Sequence, residues 1–547
     1  MRTATRCRRG DALNDDAPQP DQQTTETDAG GGTPAGRPTQ SRVRVTGLSD
    51  RAASAFLVLA FQTVLVRLVR FGGQLVLAWL LIPEDFGLFA LAASLHQFIS
   101  VLKNAGLRDI LIQRESKFHV WANPAFWMSL ALGAAGGAIM LIAAPIMGWF
   151  FEMPELPLLV QILAVTTLLQ SLGQVPTAML YAQLRFNLAA TIEAINSMGL
   201  MVLTALFAWM GLGPLSFVLP FLILAILRDV YLWSLLRPGI RLNPQFRRWR
   251  YMMGDSARLI GADIAKTAVI QLPTMILGRL YPGSAVVGHY FYGYQLSIQS
   301  AWLFARNLDT VLMPSLSKLR LDADRHQKAF LRAVRTISTI GIPLSFLQAA
   351  AADPAVRLVL PEKFYPAIPY MVVLSIGMAA QIAVQPASAM LRSQGRFGAF
   401  AWISWIQAIM ILSLVSLAAW LGSPLIAAAT IAALISVFGF IHIWVALWGI
   451  DRPMRSALGV FMWPTIIGGL ATGLGWLAAQ QISIEGRTGE VVRLAVVSVV
   501  TVVIYAPLIR IAEPETTTEL VNRIRPMVGR VLGKLPIGRS RSAATAE

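Results

Sequence analysis

The sequence predicts an all-α polytopic membrane protein of about 14 transmembrane helices, in which two six-helix parallel repeat lobes surround a central cavity and two extra helices follow. Three observations carry that reading. Mean hydropathy is +0.59, and only 14% of residues are charged, against about 25% in soluble domains. Lys and Arg concentrate in every second loop. A nine-residue pattern recurs at the ends of the fourth and tenth apolar runs.

Met1 to Ser49 is polar, rich in Gly, Pro, Thr and Asp, and has no apolar run, so residues 1–50 read as a disordered cytoplasmic tail. Apolar runs then place spans near 52–82, 85–103, 121–148, 156–182, 188–210 and 213–236, which form an N-lobe over 51–236. A basic cytoplasmic linker occupies 237–253. The C-lobe, 254–449, holds spans near 254–280, 287–316, 328–352, 366–391, 398–421 and 424–449. Spans near 456–480 and 490–511 fill 450–511, and 512–547 is a cytoplasmic tail. Each run approaches the roughly 20 residues that a bilayer core about 30 Å thick demands.

Counting adjoining helix ends, the loops after spans 2, 4, 6, 8, 10 and 12 hold twenty Lys and Arg. The other seven hold Arg279, Arg357, Lys363, Arg487 and Arg493 alone. Cytoplasmic loops carry such excess, so both termini are assigned to the cytoplasm. The net charge of +17 therefore reports topology, and nucleic acid is not an expected partner.

The repeat pairs Ala178–Phe186 (AMLYAQLRF) with Ala389–Phe397 (AMLRSQGRF), six identities in nine. Gln174 and Pro176 precede one copy, Gln385 and Pro386 the other. Pro83 and Pro282 anchor a second match, each ending the first helix of its half. An even number of spans per half preserves orientation, so the halves are parallel repeats with a substrate site expected between them.

Arg67 and Arg70 stand inside the first span, three apart and so on one helical face. An intramembrane charge costs at least about 2.5–3.5 kcal/mol without water or a partner, which turns that face toward a cavity. Lys266 lies sixteen residues before Pro282, as Arg67 does before Pro83. Lys266 has Asp263 within helical reach, and Arg306 has Asp309. Glu193 on the fifth span is a possible counter-charge to the arginines. Pro83, Glu84, Asp85 and Gly87 form a periplasmic turn in which the carboxylates cap the second span.

Several patterns read as structure. Asp322-Ala323-Asp324 falls where a helix starts. His96, His289 and His442 sit alone on apolar runs, and Cys7, the single cysteine, excludes disulfides. Gly133 with Gly137 and Gly469 with Gly473 fit close packing within the bundle. No nucleotide-binding loop is present, and neither cofactor nor metal is expected.

The run Arg70-Phe71-Gly72-Gly73-Gln74, followed by Leu77-Ala78-Trp79-Leu80-Leu81-Ile82-Pro83-Glu84-Asp85-Phe86-Gly87, resembles the opening of the polysaccharide-transporter (Wzx-type oligosaccharide flippase) family. Asn104-Ala105-Gly106-Leu107, Gln113, Val175-Pro176, Arg185-Phe186, Gly278-Arg279, Gly288-His289-Tyr290, Met313-Pro314 and Gln394-Gly395-Arg396 follow in the family's order. The resemblance covers Ala52 to Trp448. It implies the multidrug/oligosaccharidyl-lipid/polysaccharide exporter fold in a bacterial inner membrane. The implied cargo is an oligosaccharide repeat unit on undecaprenyl diphosphate, flipped from the cytoplasmic to the periplasmic leaflet for lipopolysaccharide or exopolysaccharide synthesis. Arg67, Arg70, Lys266 and Arg306 would draw the diphosphate. Implied partners are the bilayer, glycosyltransferases, a polymerase and export machinery. Trp79 and Pro273 depart from the pattern, standing where the family usually has Arg and often has Asp.

Two other classes compete. A multidrug or small-molecule exporter of the same superfamily would want an acidic cavity. A membrane polysaccharide polymerase or ligase would want a large periplasmic catalytic loop, whereas the longest internal one runs only from Asp353 to Tyr365. The topology has a direct check: cysteines at Pro83, Gly283 and Ser423 should react with an impermeant maleimide added outside, and cysteines at Arg248 and Asp324 should not. The opposite labelling would reverse the orientation.

Overall fold

The computed structural model describes residues 69–104, 118–319, 322–448 and 453–522, with Leu107 and Leu111 between. The expected N-terminal tail and residue Arg67 lie outside these. In the first half run α1 (Val69–Leu80), α2 (Pro83–Asn104), α3 (Phe118–Phe151), α4 (Leu156–Leu172), α5 (Gln174–Ala182), α6 (Phe186–Trp209) and α7 (Leu215–Leu236). In the second run α8 (Phe246–Leu280), α9 (Ser284–Lys318), α10 (Ala323–Ala350), α11 (Ala352–Val359), α12 (Ile368–Ser393), α13 (Phe397–Met410), α14 (Ser416–Leu421) and α15 (Pro424–Ala446). Helices α16 (Pro453–Gln480) and α17 (Gly486–Ala512) complete the described chain.

Twelve helices among the described residues are long and apolar enough to cross a membrane. The expected fourteen also counted α1, whose described part is too short, and α9, which is helical throughout but outside the twelve. Two expectations for connecting segments change. Helix α8 starts at Phe246, inside the expected linker 237–253, and the expected loop 353–365 is mostly helix, since α11 is followed by a 3-10 turn over Glu362–Ala367.

Local chemistry explains the boundaries. Pro83 and Pro424 take the first helical position, where a missing N–H costs nothing. Asp322 caps α10 by accepting from the Arg325 N–H, and Asp324 pairs with Lys328 at 2.6 Å, so the Asp-x-Asp pattern is helix-start chemistry. Gly133 packs on Ser171 and Gly137 on Ala164, seating α3 against α4. Gly469 and Gly473 differ, because nothing lies within 4 Å of where their Cβ atoms would stand.

Buried apolar residues gather by half. One cluster draws only on residues from Ile276 to Val460. A second, around Leu91, Met140 and Leu163, takes only Val287 from beyond residue 218. A third mixes Phe86 and Phe217 with Tyr292, Phe364 and Ile368.

The nine-residue repeat is one backbone motif made twice. At the end of α5, Arg185 N donates to Leu180 O at 2.9 Å and Leu184 N to Tyr181 O at 3.0 Å. At the end of α12, Arg396 N donates to Leu391 O at 2.8 Å and Gly395 N to Arg392 O at 3.0 Å. Both are Schellman turns whose left-handed residue is Leu184 (φ +55°) in one copy and Gly395 (φ +74°) in the other. An L side chain in that region costs about 1–2 kcal/mol, and Leu184 is 68% exposed, so its side chain returns little. Leu184→Gly should therefore stabilise the protein by about 1 kcal/mol, and Gly395→Leu should destabilise it by a similar amount. Thermal unfolding in detergent checks both, and shifts of the same sign would refute the equivalence.

Candidate functional site

The seam between the halves is built on α1. Arg70 is half-buried and its Nη2 donates to Ser197 Oγ on α6 at 2.6 Å. One turn along, Gly73 allows the approach: a Cβ there would lie 2.7 Å from Met201 Sδ. Gln74 turns to the other half. Its carbonyl accepts from the Tyr292 hydroxyl at 3.1 Å, and its Oε1 faces Gln299 Nε2 at 3.5 Å. A second bridge joins α2 to α8, where Ser94 Oγ donates to Gln271 Oε1 at 3.0 Å.

The sequence-derived cations distribute around this seam. Arg306 and Asp309 belong to α9, and their side chains lie outside the described residues. Position 306 is seven residues beyond Gln299, and Arg70 is four before Gln74. At 1.5 Å per residue both positions fall on the same side of the Gln74–Gln299 contact, their depths differing by about 5 Å. Lys266 and Asp263 are exposed on α8, five and eight residues before Gln271. Glu193 lies one turn before Ser197 and lines a small cavity of about 70 Å³ with Arg228 and Tyr181.

On the face carrying the α1–α2 turn, α2 and α9 meet backbone to backbone. A Cβ on Gly87 would stand 1.9 Å from Ser284 O, and one on Gly288 would stand 1.8 Å from Pro83 O. These reciprocal contacts pair Pro83 with Ser284 and Gly87 with Gly288. They correct the expected pairing of Pro83 with Pro282, because three residues (281–283) separate α8 from α9 and only two (81–82) separate α1 from α2. The sequence match of Arg67 with Lys266 shifts accordingly by one to two residues. Above the glycines, the Phe86 ring meets Phe217, Tyr292 and Phe364 edge-on at centroid distances of 5.0, 5.2 and 5.4 Å. Asp85 accepts from the Ile82 N–H at 3.1 Å, the capping contact read from the sequence.

A buried polar network within the first half had no counterpart in the sequence reading. Lys103 was counted as a loop cation, yet it is 3% exposed at the end of α2 and donates to Gln170 Oε1 at 2.7 Å. Arg228 reaches Asp229 Oδ1 from Nε and Nη2 at 3.0 and 2.9 Å, while Asp229 Oδ2 is buried without a partner. The pair rests on Gly173, between α4 and α5, where a Cβ would collide with Asp229 Oδ1. The signal was available: Arg228-Asp229 is a charged dipeptide inside an apolar span, which marks function by default. The histidines behave as packing groups in part. His96 Nδ1 lies 3.0 Å from Thr167 Oγ1, and His289 Nε2 lies 2.9 Å from Lys363 O. His442 bonds Phe438 O through Nδ1, but its Nε2 is buried without a partner.

Comparison with known proteins places this geometry. A family model described as polysaccharide biosynthesis protein matches residues 76–369. Teichuronic acid biosynthesis protein TuaB of Bacillus subtilis is 24% identical over 438 residues, covering 78% of this chain and 89% of that protein. Succinoglycan biosynthesis transport protein ExoT of Rhizobium meliloti is 23% identical over 301 residues, covering 55% of this chain and 61% of that protein. Among solved structures, lipid II flippase MurJ in an inward closed conformation superposes with a TM-score of 0.64 at 11% identity, over 83% of this chain and 99% of that one. That likeness is one of fold.

The glycine contact predicts a measurable change. Gly288→Val forces α2 and α9 apart on the shut face, and overpacking of about 1–3 kcal/mol shifts a closed–open balance roughly 5- to 150-fold. In a Cys7→Ser background, a cysteine replacing the fully buried Val287 should react with maleimide faster by that factor in the Gly288→Val variant. Equal rates would show that the contact does not hold the face shut.

Proposed function

Because the chain belongs to the polysaccharide biosynthesis protein family, we propose that it is a flippase for lipid-linked oligosaccharide repeat units. It works in a bacterial inner membrane, moving undecaprenyl-diphosphate-linked cargo from the cytoplasmic to the periplasmic leaflet by alternating access of two six-helix lobes. It is a carrier and not an enzyme. The observation that carries the reading is Arg70, an intramembrane guanidinium placed on a short helix that contacts both halves.

The chemistry follows from that placement. A diphosphate is an anion whose paired oxygens match the planar donor fork of an arginine. Arg67 is three residues before Arg70, and Arg306 and Lys266 add charge from α9 and α8. The cations draw the head group between the lobes while the lipid tail stays in the bilayer. The shut face with Gly87 and Gly288 keeps the periplasmic side closed until the head group is bound. TuaB is named for teichuronic acid biosynthesis, ExoT for succinoglycan biosynthesis transport, and MurJ as a lipid II flippase. Those names agree in class with a lipid-linked glycan.

Export assays test it. Arg70→Ala should leave the amount of membrane-inserted protein unchanged, since removing an intramembrane charge eases insertion, and should lower polysaccharide export at least about tenfold, the loss of one charge-assisted contact of about 1.5–3 kcal/mol. Arg70→Lys should retain part of the activity by keeping charge without the fork. Normal export by a stable Arg70→Ala variant overturns the anion-site assignment.

A further inference from the structure

A cavity of about 570 Å³ opens beside the α1–α2 turn, between the tip of α1, the α11–α12 connection and the start of α17. It lies apart from the Arg70 seam and falls within the range of small-molecule sites. Its lining includes Trp79, Arg357, Glu362, Tyr365, Arg487 and Glu490.

The walls are held in place. Trp79 Nε1 donates to Val359 O at 3.0 Å, the Trp79 carbonyl accepts from Lys363 Nζ at 3.2 Å, and the indole remains 54% exposed. Arg357 is bonded to Asp353 at 2.7 Å and stacks 4.9 Å over the Tyr365 ring, so its guanidinium is neutralised and its plane fixed. On α17, Arg493 holds Glu490 Oε1 at 3.1 Å and Ile482 O at 3.0 Å. Glu490 Oε2 is buried with no hydrogen-bond partner.

Charge decides the occupant. Two arginines and two carboxylates face the space, and Arg357 and Glu490 are already paired with Asp353 and Arg493, so neither an anion nor a cation finds a wall of net opposite charge. An uncharged, hydroxyl-rich ligand suits every wall: hydroxyls donate to carboxylates and accept from guanidinium groups, and the apolar face of a pyranose ring lies on an exposed indole. The geometry points to a saccharide-binding site at this rim, taking a neutral sugar of the cargo on the side where the glycan is delivered. This rests on the flippase reading for its biological source, while the site itself stands on the cavity. Trp79, where the sequence departs from the family pattern, supplies the stacking face.

The test uses the full chain in nanodiscs and saturation-transfer NMR with methyl glycosides of glucose, galactose, mannose and rhamnose. At least one should receive saturation, with the signal falling five-fold or more in Trp79→Ala and in Glu362→Gln, whose side chain is exposed and whose loss spares the fold. No transfer to any of the four, or transfer unchanged in both variants, overturns the site. Displacement of the signal by inorganic phosphate at millimolar concentration would assign the cavity to a lipid head group instead and also overturns it. The two proposals separate cleanly. Lost export in Arg70→Ala with no Trp79-dependent saccharide contact refutes the rim site alone, and normal export in Arg70→Ala with that contact intact refutes the anion site alone.

Discussion

The arrangement depends on two glycines that each face a carbonyl across the seam. Only a residue without Cβ lets α2 and α9 approach to backbone contact, since any side-chain carbon at Gly87 or Gly288 would fall within 2 Å of the opposing oxygen. The contact is reciprocal, so both halves of it form or break together. Backbone surfaces do not deform gradually as long side chains do, and a contact of this kind favours two discrete states. The Phe86 ring completes the seal with rings from both halves, Phe217 on one side and Tyr292 and Phe364 on the other.

Below that seal the halves differ in polarity. Helix α7 carries Arg228 and Asp229 in its interior, and α2 carries buried Lys103. Helix α15, which follows α13 and α14 as α7 follows α6, has no ionisable side chain except His442. Gly439, which is 211 residues beyond Arg228 as Ala389 is beyond Ala178, lies against Ala380. A buried pair with one orphaned oxygen costs free energy that an apolar replacement would not. Among the described residues the first half carries this orphaned carboxylate oxygen, while the second carries unpartnered groups of another kind, Arg335 Nε and His442 Nε2.

Much of this was legible in the sequence because the bilayer restricts what a chain can do. Hydropathy gave the helices, since every span must satisfy its backbone internally. The Schellman turns at Arg185 and Arg396 were visible as a repeat, because the turn imposes residue types at fixed spacing. Capping by Asp85 and Asp322 was visible for the same reason. The register between halves was not. Turn lengths of two and three residues shift it, and a proline cannot show whether it opens a helix, as Pro83 does, or lies in the turn before one, as Pro282 does. Lys103 was misread because a cation at a helix end looks the same whether it snorkels outward or bonds inward to Gln170.

What ties seam, seal and rim together is α1. Arg70 and Trp79 are nine residues apart, about 13 Å along the axis, and between them Gly73 presses on Met201 and Gln74 reaches α9. Toward the first half the helix is held by the Ser197 bond and the Met201 contact. Toward the second it has four hydrogen bonds: from Tyr292 and Gln299 to Gln74, from Trp79 to Val359, and from Lys363 to Trp79. At about 0.5–1.5 kcal/mol each, those four amount to a few kcal/mol, comparable to the differential binding that a ligand must supply to invert a two-state balance. Parting the halves on the shut face therefore requires α1 to release one side. One first-half tie runs through Arg70 itself, so in the proposed mechanism an anion that competes with Ser197 for the guanidinium loosens that tie while leaving the four bonds to the second half in place. In the proposed mechanism, binding at the seam thereby biases which half α1 follows.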